Sequence, residues 1–90
     1  MSGGPVNLVP QDLRTFASQL KQFNSDLAGS SARLQAQFRR LGETWRDPAY
    51  AKFAQEFEQT MKNLQRFRQT SDEVVPRLPH TAQKAEEVHR

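Results

Sequence analysis

The residues that could support catalysis or metal binding are few and poorly placed for either. Two histidines, His80 and His89, stand nine residues apart near the C-terminus, and cysteine is absent. A zinc site needs about four converging ligands, and no carboxylate pair sits where it would complete one. Glu56 and Glu58, and Glu86 and Glu87, are close in sequence. Residues one or two apart on a helix point in different directions, so these are surface charges and not an acid–base dyad. Ser30 and Ser31 have no base nearby, and the glycines never cluster into a phosphate-binding loop. The reading is a protein that is not an enzyme and requires no metal or cofactor.

Positive charge is the next candidate. Nine arginines give most of a formal charge of +3, and Arg33, Arg39, Arg40 and Arg46 gather in one stretch. A surface that binds single-stranded nucleic acid sets exposed aromatics beside such charges for bases to stack on. Here the acids are interspersed with the bases and the aromatics follow an apolar periodicity, so the cations read as a solvated flank. A basic, helical nucleic-acid binder remains as an alternative function, and nucleic acid is not the expected partner.

Trp45 is the residue that stands apart. It lies between Gly42 and Pro48, where a large aromatic is a liability unless it packs. It can plug the end of a helical bundle, or it can be displayed as an aromatic anchor for a partner. Arg46, Asp47 and Phe53 are its companions in either role.

The elements that position Trp45 follow from periodicity. Leucine recurs every seven residues at Leu13, Leu20, Leu27, Leu34 and Leu41. Phe16 and Phe23 lie three residues after their leucines, whereas Ser31, Phe38 and Trp45 lie four residues after theirs. Alternating threes and fours form the seam of a helix packed lengthwise on another. Pro10 is tolerated in a first turn and Asp12 suits the helix dipole, so the spacing predicts a helix over 10–41. Gly42 is suited to end it in a left-handed conformation. Ala28-Gly29-Ser30-Ser31 reads as a small-residue saddle where a crossing helix comes close. Asp47 as N-cap and Pro48 in the first turn predict a second helix over 48–75. Its stripe runs through Tyr50, Phe53, Phe57, Met61, Leu64, Phe67, Ser71 and Val74. The short connection over 42–47 makes the helices antiparallel neighbours. Residues 1–9 read as a flexible leader. Residues 76–90, opened by Pro76 and Pro79, read as a tail that is partly disordered or forms a short, frayed helix.

This hairpin is lean. Only 36% of its 90 residues are apolar, and chains this small usually need staples or oligomerisation. Each helix is about 40 to 48 Å long, and one partner helix covers only part of its stripe. The core residues Leu13, Phe16, Leu20, Phe23, Leu27, Leu34, Phe38, Leu41, Phe57, Met61, Leu64 and Phe67 therefore call for a second hairpin. A homodimeric four-helix bundle is the default, and a heterodimer with a similar hairpin is the competitor. No run of about 18 apolar residues occurs to span a membrane, and no cleaved signal peptide is legible. The expected location is cytoplasmic, or secreted by a route that reads no such peptide.

Size, paired helices and a tryptophan in the central turn resemble the WXG family, the small helical hairpins exported by type VII secretion. The resemblance covers most of 10–75, and Phe53, eight residues after Trp45, falls where members often carry an aromatic. It implies a partner-binding module or secreted effector or adaptor. Two features depart from the pattern. The turn reads Trp45-Arg46-Asp47 in place of Trp-Xaa-Gly, and no Tyr-Xaa-Xaa-Xaa-Asp/Glu export signal follows the second helix, since the only tyrosine is Tyr50. A weaker resemblance is to type III secretion needle subunits, also short hairpins with a proline in the turn. Those form open filaments, whereas a long apolar stripe suits a closed bundle.

Overall fold

A computed structural model describes residues 8–88 and consists of α1 (Pro10–Leu41), α2 (Pro48–Val74) and α3 (Arg77–Val88). Among the described residues there is no strand. Most of the segment expected as a leader, residues 1–7, lies outside them, as do residues 89–90. The protein is elongated, 65 × 27 × 16 Å.

Local chemistry sets the helix limits. Val9 precedes α1 in an extended conformation and offers no side-chain cap, but its carbonyl accepts the Asp12 N–H at 3.0 Å. Pro10, which has no N–H to satisfy, starts the helix. Asp47 caps α2 directly, its Oδ1 accepting the Ala49 N–H at 2.9 Å. Val75 still donates to the Ser71 carbonyl at 2.8 Å. Pro76 cannot donate, and the chain turns there into α3.

The bend between α1 and α2 is tied down by its own backbone. Gly42 N–H donates to the Phe38 carbonyl at 3.0 Å, and Thr44 and Trp45 N–H both reach the Leu41 carbonyl, at 3.1 and 2.9 Å. These bonds satisfy carbonyls that a helix end leaves open. Gly42 differs from the left-handed conformation expected of it, with φ −63° and ψ −17°. Its glycine is needed for room: a Cβ there would lie 2.5 Å from the Tyr50 hydroxyl.

Along α1 the buried line is Ala17 and Asn24, continued by the half-buried Ser31 and Phe38 and, past the helix, by Trp45. These stand seven residues apart. Phe16 and Phe23, expected to continue the seam on its N-terminal side, are 54% and 52% exposed. One residue is about 100° of helix, so each sits a quarter-turn away from its buried neighbour. Small side chains occupy the inner line because α3 as well as α2 closes on this end of α1.

The segment expected as a partly disordered tail or a short, frayed helix forms α3 over Arg77–Val88. It lies against α1, Ala82 is fully enclosed, and Arg14 makes a two-pronged ion pair with Glu86 at 2.9 and 2.6 Å. Alanine carries no bulk to hold two helices apart, so a segment poor in large apolar residues packs closely. The Ala28–Ser31 segment is different from the expected saddle. The nearest atom to a Cβ on Gly29 would be Arg33 Nη1 at 3.4 Å, with no second helix against it. The small residues leave a groove between α1 and α2 instead.

Candidate interaction site

Two regions hold the residues singled out above: the bend, and the open face of the hairpin beside it.

At the bend, aromatic rings from both helices close on one another. Phe38 lies at the centre, stacked on Tyr50 with centroids 5.4 Å apart and packed against Phe57 at 4.5 Å and Phe53 at 5.7 Å. Trp45 sets its ring edgewise on Tyr50 at 5.2 Å and approaches Phe53 at 6.4 Å. Such pairs contribute about 0.5–1.5 kcal/mol each beyond the area they bury. Trp45 is nonetheless only half-buried and Phe53 is 49% exposed. Arg46 and Asp47 are both exposed; Arg46 folds back to donate to the Glu43 carbonyl at 3.1 Å. Trp45 is thus anchored on one side and open on the other.

The second region is the stripe. Phe38, Phe57, Met61 and Leu64 are half-buried between the helices, and so are Leu13, Leu20 and Leu27. Leu34 and Leu41 are 52% and 43% exposed, and Phe67 is 47% exposed. Phe23 and Phe67 meet edge to face across the two helices, centroids 6.2 Å apart, each with about half its surface in water. Leucines and phenylalanines that the hairpin does not cover therefore share one side of it. Among the described residues only Ala17, Asn24, Ser71 and Ala82 are buried, and none is large. A hairpin with no large enclosed side chain has an unfinished core.

The total exposed surface agrees. The chain exposes 7237 Å², against about 5,400 Å² for a compact monomer of this mass.

Sequence reasoning placed Tyr50 on the stripe of the second helix but did not group it with Trp45 and Phe53; it is the ring that joins Trp45 to Phe38. Its register signal was present, three residues ahead of Phe53 on the stripe. The Gly42 contact and the Arg14–Glu86 pair join residues that no local pattern links.

Titration adds little. The hydrogen bonds that Arg14 donates to the Glu86 carboxylate, helped by its charge and opposed by desolvation, raise Arg14 above its ordinary value. Arg14 is fully ionised regardless, so the pair acts as a fixed tether. His80 is exposed, and His89 lies outside the described residues. Among the described residues no group of three His, Cys, Asp or Glu could hold a metal, and no helix is long and apolar enough to cross a membrane.

An aromatic bend and an apolar side that the hairpin leaves uncovered are the features the described residues bring together. The family model described as "Proteins of 100 residues with WXG" matches residues 5–88, and the chain belongs to that family. It is thereby a small helical protein associated with type VII secretion. Members are secreted without a signal peptide, typically dimerise with similar small proteins and are not known enzymes. No individual curated protein and no solved structure matches the chain.

Proposed function

We propose that the hairpin binds a second, similar hairpin through the side carrying Phe16, Phe23, Leu34 and Phe67. The resulting four-helix bundle serves as a non-enzymatic secreted effector or adaptor of a type VII system. The observation that carries this reading is the Phe23–Phe67 pair, two rings in contact across the helices and each about half exposed. Full burial of a phenylalanine contributes roughly 1.5–3 kcal/mol, so covering both rings is a large return for one contact. A second copy of this chain is the default occupant, because most soluble oligomers are twofold and self-complementary. Trp45, with Arg46, Asp47 and Phe53 around it, then lies at the end of the bundle as a recognition point for secretion components.

Light scattering on the purified chain tests the assembly. The expected mass is twice that of one chain at micromolar concentration, and Phe23→Glu with Phe67→Glu returns it to one. A well-folded monomer in the unmodified protein would remove the homodimer, and pairing only with a co-expressed hairpin would select the heterodimer. Export is tested by comparing culture supernatants with and without the secretion ATPase. Equal amounts would remove dependence on that system.

A further inference from the structure

The hairpin has a second open side. On α1, Arg14, Lys21, Ala28 and Gln35 form a line with seven-residue spacing, adjacent to the leucine line but about 100° round the helix from it. Open grooves follow that line. One, near α3, is bounded by Arg14, Lys21, Val75 and Pro79. The next is floored by Ala28, Ser31 and Leu64 and edged by Arg68. A third, of about 610 Å³, is floored by Phe38, Phe57 and Met61 and edged by Arg39 and Lys62. The last two share Gln35, Met61 and Gln65 and so form one continuous trough. From Ala28 to Arg39 it runs about 16 Å along α1, or three helical turns. No residue of the leucine line bounds any of these grooves.

We infer that this trough is a docking site for an amphipathic helix with an acidic flank, supplied by a partner protein. Its floor is aliphatic and aromatic, matching the apolar face of a helix laid into a groove. Its rim carries Arg39, Arg68 and Lys62 against the single carboxylate of Glu58, which pairs with Lys62 at 3.3 Å. Two guanidinium groups are left for an incoming acidic edge. The chain itself shows the mode of binding at the near end of the same line. There α3 buries Ala82 in the fold and sets the Glu86 carboxylate on Arg14 in a two-pronged pair. A partner helix in the trough repeats that pattern with Arg68 and Arg39 further along. Nucleic acid is the poorer fit, because two free cations over an apolar floor lack the dense positive charge that phosphates require. The trough lies apart from the proposed dimer side, and the inference rests on that reading only in leaving this side uncovered.

Met61 is at the junction of the two grooves, and the only other methionine is Met1. Methyl-labelled methionine in the full chain therefore reports on the trough directly. The probe is a designed peptide of about three heptads with a leucine seam and glutamate flanks, beside a counterpart with lysine flanks. The glutamate peptide is expected to shift the Met61 methyl signal and the lysine peptide to leave it unmoved. The double charge reversal Arg39→Glu with Arg68→Glu, checked for unchanged helicity, should weaken the glutamate peptide about tenfold, since each exposed charge pair contributes roughly a few-fold in affinity. Its mass by light scattering should stay that of the unmodified chain.

Equal binding of both peptides, or an unmoved Met61 signal with the glutamate peptide, overturns the site. So does tighter binding by a single-stranded oligonucleotide, which would make the trough a phosphate surface. A changed mass for the charge-reversed chain would make it a contact between copies. A chain that is monomeric yet binds the glutamate peptide keeps the trough and removes only the dimer.

Discussion

The Tyr50 hydroxyl occupies the space into which a side chain on residue 42 would project, 2.5 Å from where its Cβ would be. Tyr50 cannot swing aside cheaply, because Phe38 stacks on one part of its ring and Trp45 meets another. Gly42→Ala is therefore expected to destabilise the hairpin by about 1–3 kcal/mol, the usual cost of overpacking. Tyr50→Phe in the same chain removes the nearest atom and should recover part of the loss. A denaturant double-mutant cycle checks this, with a coupling of about 0.5–3 kcal/mol expected for residues in contact. Additive effects would show that the two sites do not meet.

Trp45 is held by its backbone bond to Leu41 and by two aromatic neighbours, while part of its ring remains in water. Truncation of a fully buried tryptophan costs roughly 3–5 kcal/mol, so Trp45→Ala in this half-buried site should cost about 2 kcal/mol. Thermal melting measures that part. Partner capture measures the rest, and under the proposed recognition role it falls further in Trp45→Ala than in a control of similar stability away from the bend and the grooves, such as Ala82→Leu. Parallel losses in both variants would reduce Trp45 to a packing residue.

The hairpin was legible because its signals are local. Heptad leucines, proline at each helix start and Asp47 before Pro48 act within a few residues of one another. What escaped is the rotation of α1. Its apolar arc is broad, spanning the Ala17 line, the leucines and the phenylalanines, and spacing alone cannot say which edge faces inward. Volume decides it: Ala17 and Asn24 let α2 and α3 close on α1, where Phe16 and Phe23 would hold them off. The role of α3 escaped for the same reason, since its anchors are alanines and one ion pair spanning 72 residues.

Asn24 is 5% exposed, and neither its Oδ1 nor its Nδ2 has a hydrogen-bond partner. A buried amide without partners carries a desolvation penalty of about 1–3 kcal/mol. Asn24→Leu, similar in shape but apolar, should raise stability by about 1 kcal/mol, net of some crowding. Melting curves read the gain, about 4–8 °C per kcal/mol for a domain of this size. A lowered melting temperature would mean that Asn24 makes bonds in solution that stabilise the fold. A buried polar residue of this kind can also restrict pairing at a cost in stability. The stabilised variant should then accept a wider range of assembly masses by light scattering.

The docking of α3 depends on having no bulk at its centre. Ala82 is fully enclosed, whereas Val88 near the helix end is 80% exposed. Ala82→Leu should therefore lift α3 from α1, at a cost of about 1–3 kcal/mol, and Val88→Leu should cost almost nothing. Amide exchange localises the effect. In Ala82→Leu, protection is expected to fall through Arg77–Val88 and to persist at the bend, where the Phe38 and Tyr50 rings stack. Glu86→Gln removes the charge facing Arg14 and should loosen the same segment more weakly, with its difference from the unmodified chain shrinking as salt screens the pair. Loss of protection across α1 and α2 together would show instead that α3 is part of one cooperative unit with the hairpin.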